Sequence, residues 1–329
     1  MTARNLDELA LALQSARGAV ASVSTQRSYV VTDNLSPTFG HNDNPELRAT
    51  RVGGIPWRPA SGGQGDATLL VRPKIIGLLL YAALGAKSVS GASDPYTHTF
   101  TVAASLPWLT VWRHFAEISD VRYMDARLSK LVISSRAAGV VTATASVVAA
   151  SAAFRTAKEV TVAVESVDHL EHRHGASALL VEGVSFSSID DWTLTIDTGV
   201  SLEHSLAGPM PRLNGLAKIS LQIAHVVTDA ALWNRMIFGA ASPANLAAPG
   251  VVPLTLGGSP VGAQFKLTEQ SSPERSLQIA LPQLALGPME GYTPHPAAGP
   301  LHVYSTFHAY APSAGSAMTA TLKNSQASY

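Results

Sequence analysis

The chain contains no cysteine, which removes disulfides, thiolate metal sites and thiol nucleophiles together and leaves the redox compartment unreadable. Charge is scarce: 14% of 329 residues are charged, and 23 basic against 23 acidic side chains give a formal net charge of zero. A nucleic-acid binder must neutralise phosphates with clustered Lys and Arg, so this composition argues against one. Low, balanced charge instead suits a chain that hides surface by association. Aromatics make up 6% and are scattered without the basic interleaving of a base-stacking platform. The longest strongly apolar run, 75–86, is well short of the roughly 20 residues that span a bilayer. Asp7 and Glu8 stand where a secretory peptide would be basic and then apolar, so neither a signal peptide nor a membrane segment is expected.

Catalytic signatures are equally sparse. The sequence has no Gly-x-Ser-x-Gly elbow, P-loop or dinucleotide fingerprint. Gly257-Gly258-Ser259-Pro260-Val261-Gly262 reads as a turn, because Pro260 lacks the amide donor a phosphate cradle needs. His169-Leu170-Glu171-His172-Arg173-His174 gathers three imidazoles and a carboxylate, but Arg173 would repel a cation, and a solvated connector is the simpler reading. Asp191 and Asp197 fall on polar strand positions, so with Asp190 they read as structural carboxylates rather than an acid pair. No catalytic, cofactor-binding or metal-binding residue is assigned, and a non-enzyme is expected.

What the chain does have is many short β-type runs punctuated by Gly and Pro. Trp192, Leu194 and Ile196 alternate with Thr193, Thr195 and Asp197, and Ile219, Leu221 and Ile223 alternate with Ser220 and Gln222. A hairpin is expected from 128–135 to 140–149, with Thr142, Thr144 and Ser146 on the face opposite Ala143, Ala145 and Val147. Further strands are expected near 97–103, 107–113, 160–165, 178–184, 263–268, 276–281 and 301–310. Pro73 at a first helical position and Gly85 at the C′ position bound an apolar helix over 73–84, and a second is expected from Thr228 to Gly239. Leu6, Leu9 and Leu13 at spacings of three and four predict a short amphipathic helix over 5–17.

These elements echo. Gly85 and Gly239 lie 154 residues apart, as do Gly54 and Gly208, while Glu46 and Glu203 differ by 157 and Thr142 and Thr319 by 177. Drift of this size fits insertions in surface loops. The expected organisation is an N-terminal helical arm (1–27), a first β domain (28–165), a connector (166–175) and a second β domain (176–329). The Gly/Pro-rich stretch 36–65 is too long for a hairpin loop yet carries Val52, Ile55 and Trp57, and so reads as a projecting arm. A shorter one is expected at 199–214.

Tyr96-Thr97-His98-Thr99-Phe100-Thr101, then Leu106-Pro107-Trp108-Leu109-Thr110-Val111, Tyr123 to Ser134, and Gly139-Val140-Val141-Thr142-Ala143-Thr144-Ala145 follow in one order. Together they resemble a bacteriophage tail tube (major tail) protein, whose His-Thr-Phe strand, Leu-Pro-Ser-Leu-Thr-Val strand and Gly-x-Val-Thr-Ala-Thr hairpin arm occur in that sequence. Trp108 stands where the family has Ser, and 125–130 departs from its Gly-Cys-Lys segment. The resemblance covers about 30–150, and reaches the second half through the echo. It implies a mainly β fold of two tandem tail-tube-type sandwich or barrel domains, each with a flanking helix. Rings of six such units would stack into a hollow tube through which DNA passes without specific binding. A duplicated chain would supply six units from three copies. The implied partners are further copies of the chain, a tape measure protein and a tail terminator. The implied location is the virion tail, assembled in the bacterial host cytoplasm. Inter-ring contacts are expected from Arg51, Ile55, Trp57 and Arg58 of the first arm and Leu206, Met210 and Arg212 of the second. Rival readings are another phage or injection-machine assembly protein and a β-sandwich glycan-binding module.

Overall fold

The computed structural model describes the chain except residues 1–7, 23, 39–41, 45–53, 58–61, 116–118, 137–138, 157–158, 167, 172–178, 182–183, 186–188, 206–207, 227–254, 257–258, 261, 270 and 287–301. Strands β1 (Glu8–Gln14), β2 (Gln26–Asp33) and β3 (Ser36–Thr38) precede a small hairpin of β4 (Asn42–Asn44) and β5 (Gly54–Trp57). β6 (Gly62–Leu70) then feeds helix α1 (Pro73–Leu84). β7 (Gly85–Ser90), β8 (Tyr96–Val102), β9 (Trp108–Phe115), the long β10 (Ser119–Arg136) and β11 (Thr142–Arg155) complete the first half. The second half begins with β12 (Leu170–Glu171), β13 (Leu179–Val181), β14 (Val184–Ser185) and β15 (Ile189–Asp197). A hairpin of β16 (Val200–Ser205) and β17 (Gly208–Leu213) leads to β18 (Lys218–Val226), β19 (Thr255–Leu256) and β20 (Ser259–Pro260). β21 (Ala263–Glu269), β22 (Ser276–Leu281), β23 (Leu284–Leu286), β24 (His302–Ala309) and β25 (Thr319–Asn324) end it. The protein is mainly β, as expected.

The larger sheet runs β11-β6-β2-β1-β9-β10-β15-β18-β24-β23, and β10 also pairs with β11. Six strands of the first half therefore close on themselves, which removes two edges. The length of β10 makes this possible. Its first part lies beside β9 (Ser119↔Phe115 to Ala126↔Leu109) and its last part beside β15 (Lys130↔Asp197 to Arg136↔Asp191). β11 follows its other flank from Asp120↔Arg155 to Ser134↔Thr142. The second sheet, β14-β13-β21-β22-β25-β8-β7, joins β25 to β8 with Thr321 opposite Thr99. Both sheets thus contain strands from before and after the expected connector.

One continuous core lies between these sheets and α1. Leu69, Ala143, Ile133, Leu194 and Leu221 are each within 1% of full burial and occupy one row across β6, β11, β10, β15 and β18. Each large aliphatic side chain of this kind contributes about 1.5–3 kcal/mol through burial. Trp192 and Phe265 bridge the sheets with ring centroids 4.5 Å apart.

Helix α1 forms where the sequence predicts, with Pro73 in its first turn and Gly85 left-handed at φ 91°. A Cβ at Gly85 would stand 2.2 Å from the Ser105 carbonyl oxygen, so glycine is required twice over. Arg72 provides no side-chain cap. The orphan N–H groups of Lys74 and Ile75 instead donate to the Glu165 carboxylate at 2.8 and 3.1 Å. The second expected helix, 228–239, lies outside the described residues.

The expected helix over 5–17 is replaced by strand β1 from Glu8, so the arm assigned to 1–27 is not helical there. Leu9 and Leu11 alternate with Ala10 and Ala12, and both faces find partners: the leucines enter the main core, while the alanines pack with Trp112 and Val160. Flanked by β2 and β9, the segment gains two ladders of hydrogen bonds. Tertiary pairing overrides a short helical periodicity. The expected strand at 160–165 also fails. Val160 and Val162 do pack on the Ala10–Trp112 cluster, but the backbone is tied to β2 only through Glu165 N–H to Arg27 O (3.0 Å) and Arg27 Nη1 to Val162 O (3.1 Å). Apolar alternation here reflects packing without a ladder. The expected strand near 178–184 is divided between β13 and β14.

Candidate assembly surface

Opposite the core, β6, β11, β10, β15, β18 and β24 expose one continuous polar face. Registration places Thr68, Thr144, Val132, Thr195, Ser220 and His308 in one row. The next row holds Thr142, Ser134, Thr193, Gln222 and Thr306. Neighbouring hydroxyls bond laterally: Thr68 Oγ1 to Thr144 Oγ1 at 2.9 Å, and Ser134 Oγ to Thr142 Oγ1 at 3.2 Å. Charges sit at the two rims. One rim carries Asp66, Lys130, Asp197 and Lys218, with the Ser146 hydroxyl donating to Asp66 Oδ1 at 2.5 Å. The other carries Arg136 and Asp191 beside Ala224 and Tyr304. Among the described residues three cations balance three anions, so the face carries no net formal charge.

The face of β1, β2, β9 and β10 that bears Ala10 and Trp112 is closed by the 159–165 segment. Beneath it Glu8 pairs with Arg27, and His114 Nδ1 lies 2.5 Å from Asp120 Oδ1. Glu159 accepts from Trp112 Nε1 at 2.9 Å and from Arg122 at 3.3 Å, and also pairs with Arg155. These carboxylates are consumed by one another's partners and present no acid pair to a substrate. Burial raises the Tyr123 phenol, whose hydroxyl donates to Leu35 O at 3.1 Å, and lowers His98, whose Nε2 lies 2.6 Å from Gln326 O. Burial likewise lowers Arg127, whose guanidinium stacks 3.7 Å from the Trp108 ring centroid.

Among the strands paired on one side only are β7 and β14, at the two ends of the smaller sheet, and β23, at the end of the larger. On β7, Lys87, Ser88, Val89 and Ser90 are exposed. Such edges invite another chain.

Of the residues expected at inter-ring contacts, Arg51, Arg58 and Leu206 lie outside the described residues, as does the Trp57 side chain on β5. Ile55 is 85% exposed on β5. Met210 is half-buried, and exposed Arg212 reaches Glu203 at 3.3 Å across the β16–β17 hairpin. The two groups are on separate hairpins. The second hairpin does not simply project: Val200 and Leu202 pack on Leu106 and Val148, and Pro209 lies beside Gly62, where a Cβ would meet it at 3.3 Å. Sequence reasoning missed this docking, although the buried Val200, Pro209 and Pro211 give an apolar signal.

Asp191 and Asp197 occupy the polar face as expected, and the Asp190 side chain is not described. His172, Arg173 and His174 lie outside the described residues. Leu170, between His169 and Glu171, is fully buried and donates its N–H to Val71 O at 2.7 Å, so this part of the expected connector is stitched to the start of α1. Among the described residues no group of three His, Cys, Asp or Glu is placed to hold a metal ion. No helix there is long and apolar enough to cross a membrane.

The described residues form a mainly antiparallel fold with a broad polar face and open strand edges. The family model described as phage tail tube protein matches residues 8–279, and the chain belongs to that family. It is thus a structural component of a virion tail. No curated protein matches it.

Proposed function

We propose that three copies of this chain close into a ring of six quasi-equivalent units, that rings stack into the hollow tail tube, and that the polar face lines the channel for DNA. The single observation that carries this reading is that face: six adjacent strands from both halves, coated with hydroxyl and amide groups and with three cations balanced by three anions. A conduit must not grip phosphates, and clustered Lys or Arg would do so in a salt-dependent manner. Hydroxyls stay hydrated without holding a polyanion.

Duplication is supported by the way each projecting segment leaves the large sheet. β2 and β6 flank the first and pair with each other, and β15 and β18 flank the second and pair likewise. Gly54 and Gly208, 154 residues apart, open β5 and β17, the return strands of the two hairpins. The open edges of β7, β14 and β23 serve as joints within the ring. The arms, through Arg51, Ile55, Trp57 and Arg58 and through Leu206, Met210 and Arg212, reach the neighbouring ring. A tape measure protein within the lumen and a terminator at the end complete the partners, and assembly takes place in the host cytoplasm.

Native mass spectrometry of the smallest soluble ring tests the stoichiometry. Three chains of 34.4 kDa each are expected, and a six-chain ring or a stable monomer at assembly concentration would overturn it.

A further inference from the structure

We propose that residues 325–329, beyond β25, form a latch over the start of α1 that opens when His98 takes up a proton. The device belongs to a single copy and is independent of the tube reading above. The segment leaves β25 without joining another strand. It is held instead by side chains that converge on one spot. Asn324 is fully buried, and its Nδ2 donates to Pro73 O at 2.7 Å and to the Tyr329 hydroxyl at 2.5 Å. Its Oδ1 accepts from Gln326 N–H at 2.9 Å. The Tyr329 ring closes over Gly77, where there is no room even for a Cβ.

His98 lies beneath this segment with 1% exposure. Its Nε2 is 2.6 Å from Gln326 O, and a carbonyl can only accept, so Nε2 carries the proton of the neutral ring. The imidazole is stacked on Phe100 at 6.2 Å between centroids and meets the Tyr329 ring edge-on at 4.9 Å. A second proton, on Nδ1, would place a full charge between two aromatic rings and away from water. Burial therefore lowers the His98 pKa, against the Gln326 carbonyl and the Asn324 side chain, which raise it, and the charge of Lys87 lowers it further.

The ionisable groups on the packed elements leave that direction unchanged. Lys87 on β7 holds its ammonium 4.7 Å above the Tyr81 ring of α1, and Lys323 pairs with Thr97, so it points to the opposite side of the sheet from His98. The Tyr329 phenol is pushed up by burial and stays neutral in acid. Glu165, with Lys74 and Arg72 near it, is raised by burial, so acid favours its folded site rather than weakening it.

A histidine whose folded value is depressed stabilises the closed form above its ordinary value of about 6.5, and this contribution is lost as pH falls toward the folded value. The latch is the part that yields. β8 and β25 have strand partners on both flanks, whereas 325–329 has no ladder. Opening takes Gln326 off His98 and Tyr329 off Gly77, and so loosens the tie between α1 and β25.

Hydrogen exchange at the Gln326 amide, corrected for the intrinsic effect of pH and read at concentrations below assembly, tests the latch. With the open-state imidazole at about 6.5, opening is expected to increase by up to about tenfold between about pH 7.5 and 5.5, while the amides of β22 stay unchanged. His98→Gln, which keeps a neutral donor for Gln326 O, and His98→Phe, which keeps a ring against Tyr329, should each remove the increase. Circular dichroism identifies the variants that keep the fold. Exchange at Gln326 that does not rise in acid in the unaltered chain, or that rises equally across β22, overturns the latch. A rise that persists in a folded variant overturns His98 as its trigger. Independently, the His98 ring of the unaltered chain should titrate below about 6.5 when followed by NMR, and an ordinary or raised value overturns the proposal.

Discussion

Gly77 sits in the middle of α1, where replacement of glycine by alanine ordinarily stabilises a helix by about 0.5–1 kcal/mol. Here the opposite is expected. A Cβ at Gly77 would stand 2.2 Å from Cζ and Oη of Tyr329, whose ring lies against the helix. That ring is edge-on to His98 at 4.9 Å between centroids and to Phe100 at 6.0 Å. Its hydroxyl accepts from Asn324 Nδ2 at 2.5 Å and donates to Pro73 O at 3.3 Å, and burial raises its pKa. Complete removal of a buried aromatic side chain costs about 3–5 kcal/mol. Gly77→Ala displaces the ring without deleting it, so a net loss of about 2 kcal/mol is expected after the helical gain is set against it. The cycle with Tyr329→Ala separates the two effects. With the ring gone, Gly77→Ala should become stabilising by about 0.5–1 kcal/mol, a reversal of sign. Urea unfolding followed by circular dichroism, at concentrations below assembly, reads all four chains. A stabilising Gly77→Ala in the unaltered chain, or an equal cost with and without Tyr329, would refute the wedge.

Other outcomes follow from the same structure. Burial raises the Glu165 carboxyl despite the opposing N–H donors of Lys74 and Ile75, so the folded chain holds that proton more tightly than the unfolded one. Its contribution to stability should fall as pH rises from about 4.3 through the raised folded value, and Glu165→Gln, which keeps an acceptor, should remove that part of the pH slope in thermal melts. Trp192→Ala, which empties the contact with Phe265, should cost about 3–5 kcal/mol in urea unfolding, and a loss below 1 kcal/mol would contradict the bridging role. Placing Lys at Thr144, Thr195 and Thr193 together should create salt-dependent retention of DNA by assembled tubes, measured by co-sedimentation, because the polar face would then neutralise phosphates. Deletion of 40–62 should leave rings or soluble protein without long rods in electron micrographs, and rods of ordinary length would count against the arm.

The strands that carry the polar face were legible because period-two alternation is a local signal. Trp192, Leu194 and Ile196, like Ala143, Ala145 and Val147, identify their buried side without a partner in view. Helix α1 was legible for a similar reason, since Pro73 and Gly85 mark its ends chemically. Register was not legible. Nothing in 130–136 announces that Lys130 will face Asp197, nor that β10 will leave β9 for β15 halfway along its length. The Glu165 cap joins residues about 90 positions apart, and Tyr329 reaches Gly77 across still more chain. At Glu8–Gln14 a local helical spacing competed with an equally good alternation, and only the flanking strands β2 and β9 decide between them.

The proposed tube requires one orientation: the hydroxyl-bearing side of the long sheet turned toward an enclosed channel. A cryo-electron microscopy reconstruction of rods assembled from the purified chain measures it directly. The expected map has threefold rings with Thr195, Ser220 and Gln222 bordering the central opening. A map in which those side chains lie on the outer wall, or are buried between rings, would contradict it.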